Sequence, residues 1–189
     1  PIAAPSANKS GYVSPTKYEH VRNEFHEEVF IIPGDQSCIG LESTIVDCSE
    51  EEIAILRPGF ITKTDIENFL GLSVSEKSST EAIKAPGQLK HHYSPSLPVR
   101  LNATNVFPNE ALLTFGQCEL TADVMLNLSS AGNLDEAAAN LFDFLRTLDR
   151  ANSNISQIAV VPIPNIGVGF AINERLQRAA APKSDTIVL

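Results

Sequence analysis

A run of small polar residues near the start of the chain has the composition of a phosphate-binding loop. The run is Pro5-Ser6-Ala7-Asn8-Lys9-Ser10-Gly11, and it leads into a predicted helix at Ser14. Backbone N–H groups at a helix N-terminus carry partial positive charge, so phosphates bind there readily. Hydroxyl groups of Ser6, Ser10 and Ser14 could add hydrogen-bond donors. An ordinary polar loop before a capped helix is the alternative interpretation.

A single arginine follows a predicted strand and precedes a rigid turn. In Leu56-Arg57-Pro58-Gly59 the proline and the glycine fix the turn, so the guanidinium would project from a rigid sheet edge. Such an arginine suits a phosphate or a carboxylate, although a surface salt bridge is the alternative. Glu42-Ser43-Thr44 begins another strand and offers hydroxyl groups at a similar edge.

Two further motifs resemble a metal site and a dinucleotide-binding loop, but their spacing favours neither. His91-His92-Tyr93 pairs two histidines, but adjacent side chains point apart and no Cys or carboxylate lies at ligand spacing, so we predict no metal site. Tyr93 is better suited to stack on a ligand or to hydrogen-bond it. Gly167-Val168-Gly169 lacks the third glycine of a dinucleotide loop, so we interpret it as a helix start.

Composition limits the classes of function. The 189 residues are 43% hydrophobic and carry a net charge of −9, which is typical of a soluble globular protein and disfavours extensive nucleic-acid binding. No apolar run is long enough to span a membrane. The cysteines Cys38, Cys48 and Cys118 are odd in number and widely spaced, which predicts buried free thiols and a reducing, cytoplasmic location.

The periodicity of apolar residues predicts alternating strands and helices in two segments. Before residue 73 we expect a helix from Ser14, with Ser14 as its cap and Pro15 in its first turn. A second helix should run from a Thr62–Asp65 capping pair to Gly71. Predicted strands of this segment are Val29–Ile32, Ser43–Cys48 and Ile53–Leu56.

The second segment begins near Leu97 with its own alternation. We predict helices with apolar faces over Leu134–Leu148 and Phe170–Ala180. Predicted strands are Val99–Leu101, Ala111–Phe115, Val124–Leu128, Ile158–Val161 and Thr186–Leu189. Residues 73–84, rich in Ser, Glu, Lys and Thr, have linker composition. The fold class is therefore α/β, with two units joined by a linker.

Taken in order, these motifs resemble the threonylcarbamoyl-AMP synthase family. The matching motifs are Pro5 to Gly11, Ser14-Pro15-Thr16, Glu42-Ser43-Thr44-Ile45-Val46-Asp47, Leu56-Arg57-Pro58-Gly59, Pro86-Gly87 to His92-Tyr93-Ser94-Pro95, and the closing Asn173 to Ala180. The resemblance implies the C-terminal portion of a YrdC-like α/β twisted-sheet catalytic domain (1–72), a linker folding over the active site (73–96) and a small Rossmann-like α/β domain (97–189).

The family implies a nucleotidyltransferase reaction that serves tRNA processing. L-threonine, bicarbonate and ATP give threonylcarbamoyl-AMP and pyrophosphate, with Mg²⁺ accompanying ATP. The product passes to partner proteins that make N6-threonylcarbamoyladenosine in tRNA. Direct RNA contact by this acidic chain would be weak, and no membrane partner is expected. The resemblance assigns ATP binding to Ser6, Asn8, Ser14, Arg57 and Tyr93, and threonine binding to Ala4 and Thr44. It identifies no catalytic nucleophile.

Two departures from the family pattern matter. The chain begins at Pro1 without Met, and the family's basic Lys/Arg motif is absent, so we expect an N-terminally truncated catalytic domain with little activity alone. Gln88 stands where the family often has Met in the linker.

Three other interpretations remain open. The chain could be a carbamoyl-adenylate-forming domain like that of hydrogenase-maturation proteins, although the extra domain argues against it. It could also be a non-catalytic RNA-binding module, or a structural remnant whose C-terminal domain serves regulation.

Overall fold

The computed structural model describes residue 1, residues 5–76 and residues 92–182, which form two β-sheets with helices beside them. The N-terminal segment contains α1 (Tyr18–Phe25), β1 (Ile45–Asp47), β2 (Ala54–Arg57), α2 (Lys63–Leu70) and β3 (Ser75–Glu76). The C-terminal segment contains β4 (Val99–Arg100), β5 (Glu110–Thr114), β6 (Met125–Asn127), α3 (Leu134–Asp149), β7 (Gln157–Val160) and α4 (Gly169–Ala179). Among these helices, none is both long and apolar enough to cross a membrane.

The N-terminal sheet is small and is organised around β2. β2 pairs antiparallel with β1 and parallel with β3. Helix α2 connects β2 to β3, and it begins at the predicted capping box, in which Thr62 Oγ1 accepts from the Asp65 amide and the Asp65 carboxylate accepts from the Thr62 amide. Gly71 ends the helix with φ +67°. β3 falls inside the segment predicted as linker, and the boundaries of the three predicted segments stay a prediction.

The C-terminal sheet is entirely parallel, with the strand order β4-β7-β5-β6. All five residues of β5 are buried, as expected for a central strand covered on both faces. The Asn133 side chain caps α3 by accepting from the amides of Asp135 and Glu136. Helices α3 and α4 contact each other and cover one sheet face. The predicted α/β class is confirmed, and so is the interpretation of Gly167-Val168-Gly169 as a helix start.

Several local predictions are wrong. Residues 29–32 form no strand, and Phe30 and Ile32 are exposed. Helix α1 begins at Tyr18 after Lys17, without a side-chain cap, so Ser14 does not cap it. The cysteines are free, but Cys38 and Cys48 are exposed and Cys118 is half-buried rather than buried. The strand predicted at Thr186–Leu189 lies outside the described residues.

The two segments pack on each other through polar contacts to α3. Arg146, 2% exposed, donates to Glu24 Oε2 at 2.7 Å and to the Val13 carbonyl, and its guanidinium lies 4.8 Å from the centre of the Tyr12 ring. The Tyr12 hydroxyl donates to Asp149 Oδ2 at 2.7 Å. These contacts join α3 to Glu24 of α1 and to the loop that precedes α1.

A second group of contacts fixes α1 itself to α3. Asp143 accepts from Lys17 Nζ at 2.6 Å and lies 3.1 Å from His20 Nε2. Val13 is fully buried in the same apolar cluster as Leu141 and Leu145 of α3. The loop before α1 is therefore part of the core of the C-terminal domain.

Gly40→Ala tests how closely the N-terminal segment approaches α3. Gly40 has φ +73°, and an added Cβ would lie 2.5 Å from the carbonyl oxygens of Ala138 and Ala139. We expect the substitution to lower the free energy of unfolding by roughly 3 kcal/mol, because it adds a steric clash to left-handed backbone strain. Urea denaturation followed by circular dichroism measures this loss. Gly116→Ala is the matched control, since Gly116 has φ +63° and open space around it. Equal losses in the two variants would contradict the close packing.

The Tyr12–Asp149 hydrogen bond predicts a loss of stability at high pH. Burial, followed by the hydrogen bond and the negative charge of Asp149, raises the pKa of Tyr12 to about 12. Tyrosine in the unfolded chain ionises near pH 10, so the contribution of Tyr12 is complete below pH 10 and is lost as pH rises to about 12. Urea midpoints should therefore fall less between pH 10 and 12 for Tyr12→Phe than for the wild type. An equally steep fall in both proteins would contradict this assignment.

Candidate functional site

Glu42 lies between the two segments and binds a side chain from each. Its Oε1 accepts a hydrogen bond from Ser14 Oγ at 2.6 Å, and its Oε2 accepts from Arg175 Nε at 3.0 Å. Ser14 is 5% exposed and Arg175 is completely buried. One carboxylate therefore links the loop before α1 to helix α4 of the C-terminal domain.

Arg57 and the turn that follows it hold the backbone beside Glu42. The Nε and Nη2 groups of Arg57 donate to the Ser43 carbonyl at 3.2 and 2.9 Å. An added Cβ on Gly59 would lie 2.4 Å from the Thr44 amide nitrogen, so only glycine permits this approach. Thr44 Oγ1 donates to the Ile61 carbonyl at 2.6 Å. The strand edge predicted to meet a ligand is thus tied to residues 42–44.

Tyr93 is buried where the two segments meet. Its ring stacks on Phe142 of α3 with centroids 5.3 Å apart, and the Arg175 guanidinium lies 5.1 Å from its centre. The Ser94 amide donates to the Gly11 carbonyl at 2.9 Å, which joins this stretch to the small-residue loop. The Tyr93 hydroxyl has no hydrogen-bond partner within the described part of the chain. Burial raises the pKa of Tyr93, while the charge of Arg175 opposes that rise.

His92 shares this charged environment. Burial lowers its pKa first, and the charges of Arg178, Arg175 and Arg57 lower it further, while Glu42 opposes them. The imidazole is therefore neutral at pH 7. Its Nδ1 is buried without a partner among the described residues. His91, the other half of the pair in the sequence, lies outside the described residues.

A cavity of about 160 Å³ opens beside Ser14. Its walls come from the small-residue loop, from residues 14–16, from residues 37–42 and from Phe142 of the C-terminal domain. Two of the predicted ATP ligands, Ser6 and Ser14, line it directly. Glu42 lines it as well, so the cavity adjoins the carboxylate that binds Arg175.

The other predicted site residues are not among those that line this cavity. Arg57 and Tyr93 lie close enough to each other that the charge of Arg57 lowers the pKa of Tyr93. Asn8 donates to the carbonyls of Lys9 and Tyr12, and its Oδ1 is buried without a partner in the described chain. Ala4 lies outside the described residues.

A larger cavity of about 490 Å³ lies away from these residues. It is lined by Tyr18, Arg22, His26, Glu27 and residues 29–31. No residue predicted to bind a ligand lines this larger cavity, whereas Ser6 and Ser14 line the smaller one.

The C-terminal domain contributes residues to the site that the sequence does not predict. Arg175 and Phe142 approach the site from positions more than 80 residues away from the loops they contact, and no local spacing indicates this. Arg175 occurs in the closing motif of the chain, but its sequence context gives no hint of a partner. Glu42 was noted only as the first residue of a strand-edge motif.

Comparison with known families gives two matches along the chain. A family model described as the threonylcarbamoyl-AMP synthase C-terminal domain matches residues 61–181. A second model, described as telomere recombination, matches residues 1–59. The family boundary at residue 60 lies directly after the Arg57-Pro58-Gly59 turn.

Individual relatives agree with these matches. The threonylcarbamoyl-AMP synthase of Bacillus subtilis (strain 168) is 34% identical and that of Pyrococcus abyssi (strain GE5 / Orsay) 33% identical, each over 95% of this chain. This chain covers 57% and 58% of those two proteins, so it spans little more than half of their length.

Solved structures resemble the fold as well. The crystal structure of P. abyssi Sua5 complexed with L-threonine aligns with a TM-score of 0.80 and 28% identity, over 94% of this chain and 57% of that one. A variant of P. abyssi Sua5 with a His and a Tyr replaced by alanine aligns with a TM-score of 0.75 and 28% identity, over 93% of this chain and 56% of that one. By its motifs, its fold and its family match over residues 61–181, this chain belongs to the threonylcarbamoyl-AMP synthase family.

Proposed function

We propose that this chain provides part of an L-threonylcarbamoyladenylate synthase, the nucleotidyltransferase that prepares threonine for transfer to tRNA. The observation that carries the proposal is the convergence of separate family motifs around one carboxylate. Ser14, the Arg57 turn and Tyr93 come from three stretches of the chain, and all lie within one or two contacts of Glu42. The lining of the cavity beside them includes four residues with hydroxyl groups, Ser6, Ser14, Thr16 and Ser37.

Each predicted ligand residue has a proposed role in this arrangement. Ser6, Asn8 and Ser14 would contact ATP from the small-residue loop and its continuation. Arg57 would neutralise phosphate charge from the sheet edge. Tyr93, whose hydroxyl has no partner among the described residues, would cover the nucleotide from the linker. Ala4 and Thr44 would line the threonine pocket.

The proposed reaction needs positioning and charge neutralisation rather than a covalent nucleophile. The threonine amine and bicarbonate combine with loss of one water to give a carbamate. A carbamate oxygen then forms a bond to the α-phosphorus of ATP, and the bond from that phosphorus to the bridging oxygen breaks to release pyrophosphate. Arg57 would stabilise the charge that develops on the phosphates.

Mg²⁺ belongs to the substrate in this proposal. Among the described residues there is no group of three or more His, Cys, Asp or Glu side chains placed to hold a metal ion. Both oxygens of Glu42 already accept hydrogen bonds. The ion would therefore arrive bound to the phosphates of ATP.

The product would leave the site for partner proteins that modify tRNA. Because the chain carries a net charge of −9, its own contact with RNA would be weak and strongly dependent on salt. A cytoplasmic location fits such a pathway.

Calorimetric titration of this chain with ATP, with and without L-threonine and Mg²⁺, tests the proposal. We expect threonine to strengthen ATP binding, and Arg57→Ala to weaken it by about tenfold or more, since a charge-assisted contact to phosphate is lost. Arg22→Ala removes an exposed arginine of α1 and should change nothing. Absence of ATP binding would contradict a nucleotide site in this chain.

A carbamoyl-adenylate-forming activity is the second candidate. ATP binding that L-threonine does not strengthen would favour it. RNA binding without any affinity for ATP would instead favour a non-catalytic module.

A further inference from the structure

Arg175 of α4 is completely buried, and its guanidinium binds Glu42 at the candidate site. Its Nε donates to Glu42 at 3.0 Å, its Nη2 donates to the Pro58 carbonyl at 3.0 Å, and its Nη1 pairs with Glu174. A buried guanidinium is tolerated only when its donors are satisfied. Here two of the three nitrogens are satisfied by residues of the N-terminal segment, so α4 and residues 42–58 depend on each other.

The geometry at Glu42 determines what Ser14 can offer a ligand. A serine hydroxyl has one proton, and the Ser14 proton points to Glu42 Oε1 across 2.6 Å. Ser14 also lines the cavity. While the bond to Glu42 persists, Ser14 can only accept a hydrogen bond from a molecule in the cavity.

An acceptor at this position distinguishes between the parts of a nucleotide. The α- and β-phosphate oxygens carry no proton at pH 7 and only accept hydrogen bonds. Hydroxyl and amino groups of the ribose and the base can donate. Ser14 is therefore matched to the nucleoside part of ATP rather than to its phosphates.

We propose that Arg175 is a positioning residue which, through Glu42, holds Ser14 as a hydrogen-bond acceptor for the nucleoside part of the ligand. The proposal rests on the nucleotide site proposed above and assigns a purpose there to the C-terminal domain. Because Arg175 also binds the Pro58 carbonyl and lies over the Tyr93 ring, it fixes three parts of the site at once.

Binding of ATP, adenosine and tripolyphosphate to four variants tests the inference. Ser14→Ala should weaken the binding of ATP and of adenosine by roughly tenfold, which corresponds to the loss of one hydrogen bond. The affinity for tripolyphosphate should stay within about twofold of the wild-type value. Glu42→Gln keeps the shape but turns an amide N–H toward Ser14, which frees the serine proton. Adenosine should then bind about tenfold more weakly, and tripolyphosphate should bind as well as before or better. Arg175→Met should weaken ATP and adenosine as Ser14→Ala does.

Arg100→Met is the matched control for Arg175→Met. Like Arg175, Arg100 binds a carboxylate, a backbone carbonyl and an aromatic ring. It donates to Glu110 Oε2 at 2.6 Å and to the Asn105 carbonyl at 2.9 Å, and its guanidinium lies 4.7 Å from the centre of the Phe107 ring. It lies on β4, remote from the cavity, so its loss should lower stability without changing ATP affinity. Addition of Ser14→Ala to Arg175→Met should cost little further affinity, since both act through one hydroxyl group.

Three results would overturn the inference. Ser14→Ala that weakens tripolyphosphate but not adenosine would show that Ser14 donates to phosphate. Equal ATP affinities of Arg175→Met and Arg100→Met would contradict the positioning role. So would losses of ATP affinity in Arg175→Met and Ser14→Ala that add up fully in the double variant.

If the wild-type chain binds no ATP at all, the proposed nucleotide site is contradicted. The positioning role of Arg175 is then tested independently by amide hydrogen exchange. Faster exchange of the amides of residues 12–16 in Arg175→Met than in Arg100→Met would support the role of Arg175, and equal exchange would overturn it.

Discussion

The burial of two arginines of the C-terminal domain against the N-terminal segment is the constraint on which the rest of the structure depends. Arg146 of α3 and Arg175 of α4 are 2% and 0% exposed. A buried guanidinium without partners would be strongly destabilising, so each must meet acceptors. Glu24 and the Val13 carbonyl accept hydrogen bonds from Arg146. Glu42 and the Pro58 carbonyl accept hydrogen bonds from Arg175. All four acceptors lie in the N-terminal segment, so the burial of these arginines depends on the packing of that segment on the two helices.

The candidate site is a consequence of this docking. The N-terminal segment buries little apolar surface in its own elements; α2 has no buried residue, and Phe69 on it is 89% exposed. Val13 and Tyr93 instead belong to the core cluster of the C-terminal domain. The loops that surround the cavity therefore pack on α3 and α4 in addition to the contacts that Arg57 of β2 makes with Ser43. The C-terminal domain contributes to this region through Phe142 of α3, which lines the cavity, and Arg175 of α4, which binds Glu42.

Local signals in the sequence predicted most elements, and contacts distant in sequence account for the errors. The apolar stripe of α3 and the Thr62–Asp65 capping box act within a few residues, so both were visible. Ser14 was assigned as a helix cap because its neighbours favour one, but its hydroxyl is engaged by Glu42, 28 residues away. Residues 29–32 have the composition of a strand, yet no described strand pairs with them. The site motifs were found through family resemblance, whereas Arg175 could not be found because its partner lies 133 residues earlier.

We infer that the two segments form one cooperative unit in which the C-terminal domain holds the candidate site in place. Differential scanning calorimetry of the wild-type chain tests it most directly. The account predicts a single transition whose calorimetric enthalpy equals the van't Hoff enthalpy, at roughly 0.7 kcal/mol per residue counted over both segments. Two separate transitions, with the earlier one carrying only the enthalpy of the N-terminal segment, would contradict it.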